Sequence, residues 1–132
     1  MIRHDCESAL LAVGLDPAVG YLHAERPGRP SLALDLMEEF RALVADRLVL
    51  ALVNRRQVQP SGFQTDPAGA VLMDDKTRRR LLTAYQERKR EHVQHPLFQE
   101  AVTVGLLPHL QARLLARTIR GDVADYPALV LR

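Results

Sequence analysis

Three carboxylates and one histidine are spaced so that they could act together. Asp35, Glu38 and Glu39 lie close in sequence, and His23 precedes them across a short proline- and glycine-containing stretch. On a helix, at roughly 100° per residue, Asp35 and Glu38 stand about 60° apart and share one flank. Carboxylates at i and i+3 can converge on a point just off the helix, which offers a hard divalent cation the oxygen donors it prefers. A histidine delivered by the preceding loop would add a nitrogen donor and complete a His-plus-carboxylate site for Mg²⁺ or Mn²⁺. Acidic residues also favour a helix N-terminus through its dipole, so position alone leaves both roles open. His4, His92, His95 and His109 have no acidic partners at ligand spacing beyond accident. The i, i+3 pair His92/His95 is only a faint zinc signal, with the lone Cys6 far from it.

The cations are concentrated too. Arg26, Arg29 and Arg41 flank the acidic group, while Lys76, Arg78, Arg79, Arg80, Arg88, Lys89 and Arg90 crowd one later segment. Asp74, Asp75, Glu87 and Glu91 balance that segment, as a solvated helix face would require. Guanidinium groups beside a carboxylate–metal cluster are also what a phosphodiester enzyme needs, with forked donors for the backbone and a cation for the reacting phosphate. Arg26, Arg29, Arg41, Lys76 and Arg79 are the candidate contacts to a phosphodiester backbone, and the family resemblance described below makes that backbone DNA. There is no phosphate-cradling glycine loop, nucleophile elbow or paired CxxC motif.

The elements that must position these side chains are mainly helical. Ile2 to Val13 reads as a short helix with Gly14 as a left-handed cap. Gly20-Tyr21-Leu22-His23 is a short extended or turn-like piece, and the stretch from Ala24 to Pro30 is a constrained loop. Ser31 is expected to cap a long helix running to about Asn54, because Leu32, Leu36, Phe40, Leu43, Val44, Leu48, Ala51 and Leu52 recur at spacings of three and four. Residues 56–73 hold prolines and glycines that fit a small hairpin or an ordered loop equally well. Asp74 or Asp75 should cap a helix from Lys76 to about His92. Leu97 to Val104 is expected to continue as helix, Gly105 and Pro108 to open a last helix ending at Gly121, and the tail from Asp122 with Tyr126-Pro127 to dock.

Composition bounds the possibilities. The chain has 132 residues, 47% hydrophobic and 26% charged, which suits one folded domain, 1–132. Its net charge of +2 does not by itself announce a nucleic-acid partner. A single cysteine cannot form an intrachain disulfide, so packing must stabilise the fold and a reducing, cytoplasmic setting is expected. The longest apolar run, Ala42 to Val53, is broken by Asp46 and Arg47, and no signal-peptide layout opens the chain. Few aromatic residues argue against a base-stacking platform.

Four blocks in order carry a resemblance: Gly14-Leu15-Asp16-Pro17, Gly20-Tyr21-Leu22-His23, Arg26-Pro27-Gly28-Arg29-Pro30-Ser31-Leu32 and Asp35-Leu36-Met37-Glu38-Glu39-Phe40-Arg41. With Val71-Leu72-Met73-Asp74 and the closing Leu115-Ala116-Arg117 to Arg120-Gly121, the chain resembles the CRISPR-associated spacer-acquisition integrases, the "Cas one" family, in its type I flavour. The resemblance implies the helical C-terminal catalytic domain of a larger two-domain protein whose N-terminal β domain is absent here. It also implies a metal-dependent endonuclease/integrase that joins foreign DNA into a CRISPR array through Mg²⁺ or Mn²⁺. His23 and Glu38 match two of the family's metal ligands, Asp35 is a nearby acidic residue often also needed, and a third ligand, a glutamate from an earlier helix, has no counterpart. The implied partners are DNA, the small "Cas two" protein and a second copy in a homodimer; the piece alone is expected to be inactive. The competing reading is a non-catalytic helical module that binds DNA or protein. A helix-turn-helix regulator fits poorly, because no helix pair has a tight turn and a convincing recognition helix.

Overall fold

A computed structural model of the protein describes residues 1–130. Five α-helices carry the fold: α1 (Ile2–Ala12), α2 (Ser31–Phe40), α3 (Arg47–Asn54), α4 (Asp75–Arg90) and α5 (Leu107–Ile119). Two antiparallel hairpins interrupt them, β1 (Phe63–Thr65) with β2 (Val71–Met73), and β3 (His92–Gln94) with β4 (Ala101–Thr103). The class is mainly α, and of the two readings open for residues 56–73 the structure takes the hairpin.

The long periodic segment is helical throughout, as its apolar stripe requires, but it is not uniformly α. Between α2 and α3 the six residues Arg41–Asp46 widen into a π-helix. The stripe stays buried across this change: Leu32, Leu36, Phe40, Leu43, Val44, Leu48 and Leu52 all enter the core, where they meet Cys6, Ala9 and Leu10 of α1 and Leu107 and Ala112 of α5. Burial pushes the Cys6 thiol up to about 12, reinforced by the charges of Asp5, Glu39 and Glu7, so it packs as an inert small side chain.

Several helix ends differ from expectation. Ser31 does not cap α2. It is the first helical residue, fully buried, and its hydroxyl donates to the Ala24 carbonyl. The free amides of Leu32 and Ala33 instead donate to the Pro17 carbonyl, which folds the Asp16–Pro17 turn onto the helix start. Asp74 is the α4 cap, accepting from the Thr77 amide at 2.7 Å. Gly14 takes its left-handed conformation, with φ +78°, at the end of α1.

The expectation of helix from Leu97 to Val104 is wrong. The second hairpin occupies this region, and α4 ends at Arg90. The physical reason is His95, which is buried and organises the turn: its Nδ1 accepts the Leu97 and Phe98 amides at 3.2 and 3.4 Å. Gln99 reverses the chain with φ +52°, a backbone state no helix contains. His95 is thus a satisfied core residue, and its zinc reading lapses.

His95 Nε2 donates to the side-chain carbonyl of Gln111, and the Gln111 amide donates to Glu39, to Tyr126 Oη and to the Pro127 carbonyl. Glu39 also receives the Tyr126 hydroxyl and, at 2.7 Å, the Leu129 amide. The tail docks as expected, and the anchor is this half-buried carboxylate on α2. Glu39→Ala would leave a hydroxyl, a side-chain amide and a main-chain amide short of an acceptor, so a loss of about 3 kcal/mol in urea unfolding is expected. The same variant should show faster proteolysis between Asp122 and Leu129; unchanged unfolding and cleavage would contradict the anchoring role.

Candidate metal and phosphate site

Asp35 stands in the second turn of α2 and faces the loop that precedes the helix. Its Oδ2 accepts the amides of Tyr21 and Leu22 at 2.6 and 3.0 Å, and its Oδ1 accepts the amide of His23 at 2.9 Å. The same Oδ1 lies 2.6 Å from His23 Nδ1. Four donors therefore converge on one carboxylate, which matches its lone-pair capacity. Burial works to push the Asp35 carboxyl up, but the Leu22 amide, the His23 ring and the Tyr21 and His23 amides outweigh it, so its pKa falls below the usual range. An ionised carboxylate only accepts, so His23 Nδ1 carries a proton toward Asp35, and in the neutral ring Nε2 is the nitrogen with the free lone pair. Such an Asp–His pair is the arrangement that orients a metal-binding imidazole.

The loop can reach Asp35 only because it passes very close to the helix. A Cβ on Gly20 would lie 2.5 Å from Ser31 Cβ and 2.7 Å from the His23 carbonyl oxygen. Glycine at this position permits the contact that delivers His23.

Glu38 follows one turn after Asp35 and points into a cleft of about 620 Å³ between α2, α5 and the tail. Asp35 and Glu38 line this cleft beside Tyr21, Leu22, Leu36, Leu115, Ile119 and Tyr126. Glu38 is partly exposed, and its nearest cation is Arg41 Nη1 at 3.7 Å. Thus His23, Asp35 and Glu38 occupy one neighbourhood, but they do not form a three-ligand shell. Among the described residues no group of three or more His, Cys, Asp or Glu side chains is placed to hold a metal ion. The physical reason lies with Asp35, whose oxygens are filled by the loop and the imidazole. Glu39, next along the helix, turns to the tail.

The candidate DNA-binding residues divide. Arg41 stays beside Glu38, and Arg26 is exposed on the loop after His23. Arg29 lies elsewhere, in a cleft with Arg3, Glu7 and Asp16. Lys76 lines a third cleft at the start of α4 with Arg55, Arg56 and Arg80, and Arg79 is exposed on α4. The same helix also turns cations inward: Arg88 Nη2 donates to the Leu43 carbonyl at 3.1 Å, and Lys89 Nζ meets Asp5 at 3.0 Å. Spacing of three and four along α4 could have separated these faces, whereas the convergence of Arg55 and Arg56 on Lys76 depends on the chain reversal between α3 and α4.

The pairing of Asp35 has a definite pH signature. Because its folded pKa is depressed, the stability it contributes is present above the ordinary carboxylate range, near pH 4, and is lost as pH falls through the folded value. Asp35→Asn places an amide group against other donors, so at pH 7 the variant should be less stable by about 2 kcal/mol, with the difference closing as the wild type is protonated. Denaturant unfolding at pH 7 and pH 3 reads this; an equal difference at both values would contradict the pairing.

The model of the family described as CRISPR associated protein Cas1 matches residues 1–87. A CRISPR-associated endonuclease Cas1 from Rhodospirillum rubrum is 55% identical across 96% of this chain and 37% of its own length. Among solved structures, a casposase bound to integration product superposes with a TM-score of 0.85 at 25% identity, covering 94% of this chain and 36% of that one. A Cas1 protein from Thermotoga maritima superposes with a TM-score of 0.81 at 31% identity, over 91% and 36% of the two chains. The chain thus spans little more than a third of the length of each of these three proteins.

Proposed function

The chain belongs to the Cas1 family of CRISPR-associated proteins, and from that membership we propose that it supplies two metal ligands, His23 and Glu38, to a metal-dependent DNA endonuclease/integrase. The observation that carries the proposal is the clamp on Asp35. It holds the His23 ring by Nδ1 and leaves Nε2 as a donor, while Glu38 offers a carboxylate one helical turn away.

One nitrogen and one carboxylate suit Mg²⁺ or Mn²⁺ as part of a shell, with Asp35 as the positioning residue behind His23. Further donors would come from outside this pair. When bound, the ion supplies Lewis acidity toward a phosphodiester and charge stabilisation for the leaving oxygen. The chain's own groups do the rest. Asp35 holds the imidazole in one tautomer, and Gly20 lets the loop approach. Arg41, with Arg26 on the loop, offers guanidinium donors to non-bridging phosphate oxygens.

In the reaction, a 3′-hydroxyl of a DNA fragment attacks a phosphorus atom in the CRISPR repeat. A new O–P bond forms, the bond to the former 3′-oxygen breaks, the attacking hydroxyl loses its proton to solvent, and the leaving 3′-oxygen takes one up from solvent. The casposase neighbour, solved bound to integration product, supports a DNA substrate. The small "Cas two" protein and a second copy of the chain are the partners that family membership supports. Arg29 and Arg79, together with Lys76, would contact backbone phosphates away from the reacting centre.

Manganese titration followed by the electron paramagnetic resonance of free Mn²⁺ tests the ligands directly. Wild type should bind more tightly than either His23→Ala or Glu38→Ala, and each variant should keep the wild-type circular dichroism spectrum. In the longer protein of the family form, either substitution should abolish metal-dependent DNA cleavage. The second reading, a DNA- or protein-binding scaffold, is favoured by the absence of a three-ligand group among the described residues. Equal weak manganese binding by all three proteins would establish it instead.

A further inference from the structure

The buried stripe of the α2–α3 run repeats every four residues: Leu32, Leu36, Phe40, Val44, Leu48 and Leu52. At 100° per residue, the stretch from Leu32 to Leu52 carries an α-helix through five turns and about 200° more. An unbroken α-helix would therefore turn Leu52 almost opposite to Leu32, yet both lie in one core. The π-helical turn eases this mismatch. Its bonds close over five residues instead of four, so the segment Arg41–Asp46 takes in one extra residue and the excess rotation falls to about 100°.

The same turn is a joint. Helix α2 packs chiefly on α1 and α5, and α3 on α4, so the two ends of the run belong to different neighbours. His23, Asp35 and Glu38 stand with the first group. From the second group Arg88 of α4 reaches the joint itself: its Nη2 donates at 3.1 Å to the carbonyl of Leu43, midway through the turn. Its Nη1 pairs with Glu91, whose carbonyl accepts the Val104 amide at the foot of the second hairpin. Arg88 Nε, by contrast, is buried without a hydrogen-bond partner among the described residues. A buried donor left unpaired opposes folding, so the bonds of the two terminal nitrogens are held against a cost.

We propose that Arg88 is a positioning residue for the His23–Glu38 site: it holds the π turn in the one register that sets the Glu38 face of α2 against the α3–α4 pair. This rests on the phosphodiester chemistry proposed above and adds to it a residue that touches neither metal nor reacting atoms. Without the bond to Leu43 the extra residue has no fixed place in the run, and each place it takes turns a different set of side chains toward the site. Arg41 is the most sensitive, as the first residue of the turn and the cation 3.7 Å from Glu38. Lysine cannot substitute, because an ammonium is a point charge, whereas the guanidinium fork spans one acceptor on the turn and another at the end of α4. Contacts to substrate phosphates are spread over other side chains, so the loss falls on alignment and not on affinity.

Spin labels on Glu38→Cys and Leu50→Cys, exposed positions on either side of the turn, read its register by pulsed electron paramagnetic resonance, and buried Cys6 stays unlabelled. A narrow distance distribution is expected with Arg88, and a broad or split one with Arg88→Lys. In Arg88→Lys without labels, the amides of residues 42–48 should exchange about tenfold faster, and those of Tyr21, Leu22 and His23 at the wild-type rate. In the longer protein of the family form, Arg88→Lys should lower kcat for metal-dependent DNA cleavage about tenfold, with KM and manganese affinity within about twofold of wild type. Deleting Ala42, an exposed residue of the turn, removes the extra residue and should restore both the narrow distribution and kcat to Arg88→Lys. An arginine needed only for its ion pair with Glu91 would not be rescued in this way. Wild-type distances and exchange in Arg88→Lys would overturn the proposal, as would altered distances with wild-type kcat, or manganese affinity lost together with kcat. Should Arg88→Lys not fold, the chain that also lacks Ala42 decides: folding there supports the proposal, and failure to fold overturns it. A wild type without cleavage would count against the function proposed above, while labels and exchange still decide whether Arg88 holds the turn.

Discussion

The Asp35 carboxylate is the point on which the local architecture of the site depends. It lies low on α2, and three consecutive main-chain amides and one imidazole donate to it. Each of those donors would otherwise need water, and a loop carrying Pro27 and Pro30 has few other ways to satisfy them. The convergence pulls residues 21–23 against the helix and fixes the histidine tautomer in the same act. Fold and chemistry are coupled here through one ionised group.

The neighbouring carboxylates of α2 show how helical rotation divides labour. Asp35 faces the loop, Glu38 opens into the cleft, and Glu39 turns toward Gln111, Tyr126 and the tail. Burial near Glu39 pushes the Tyr126 hydroxyl well above its ordinary range, with the Glu39 carboxylate reinforcing the effect, so Tyr126 remains a donor. The tail and the loop are thereby held to the same helix by adjacent acids, and the Glu38 side chain emerges between two anchored segments. The π-helical turn that follows begins beyond this group, so the three acids keep ordinary α spacing.

Periodicity made the α2–α3 stripe legible, because burial of one face leaves a repeat that needs no partner to be seen. Gly14, Asp74 and Gly121 marked helix ends for a similarly local reason. The second hairpin was hidden. Leu97 and Phe98 read as apolar helix residues, whereas the deciding contacts are a buried imidazole accepting their amides and a glutamine sixteen residues away along the chain. Ser31 misled for the opposite reason: its type suits a cap, but the Pro17 carbonyl had already taken the helix amides.

For the site itself, residue types and order determined the candidates His23, Asp35 and Glu38, together with the family that the surrounding blocks resemble. Those are properties of covalent sequence: donor chemistry, helical spacing and motif order. Only the tertiary structure decided that Asp35 is filled by main-chain donors, that Glu39 anchors the tail, and that Arg29 and Lys76 lie in different clefts. Each of these depends on which groups meet across chain reversals, and a carboxylate has no fixed role until the donors around it are in place.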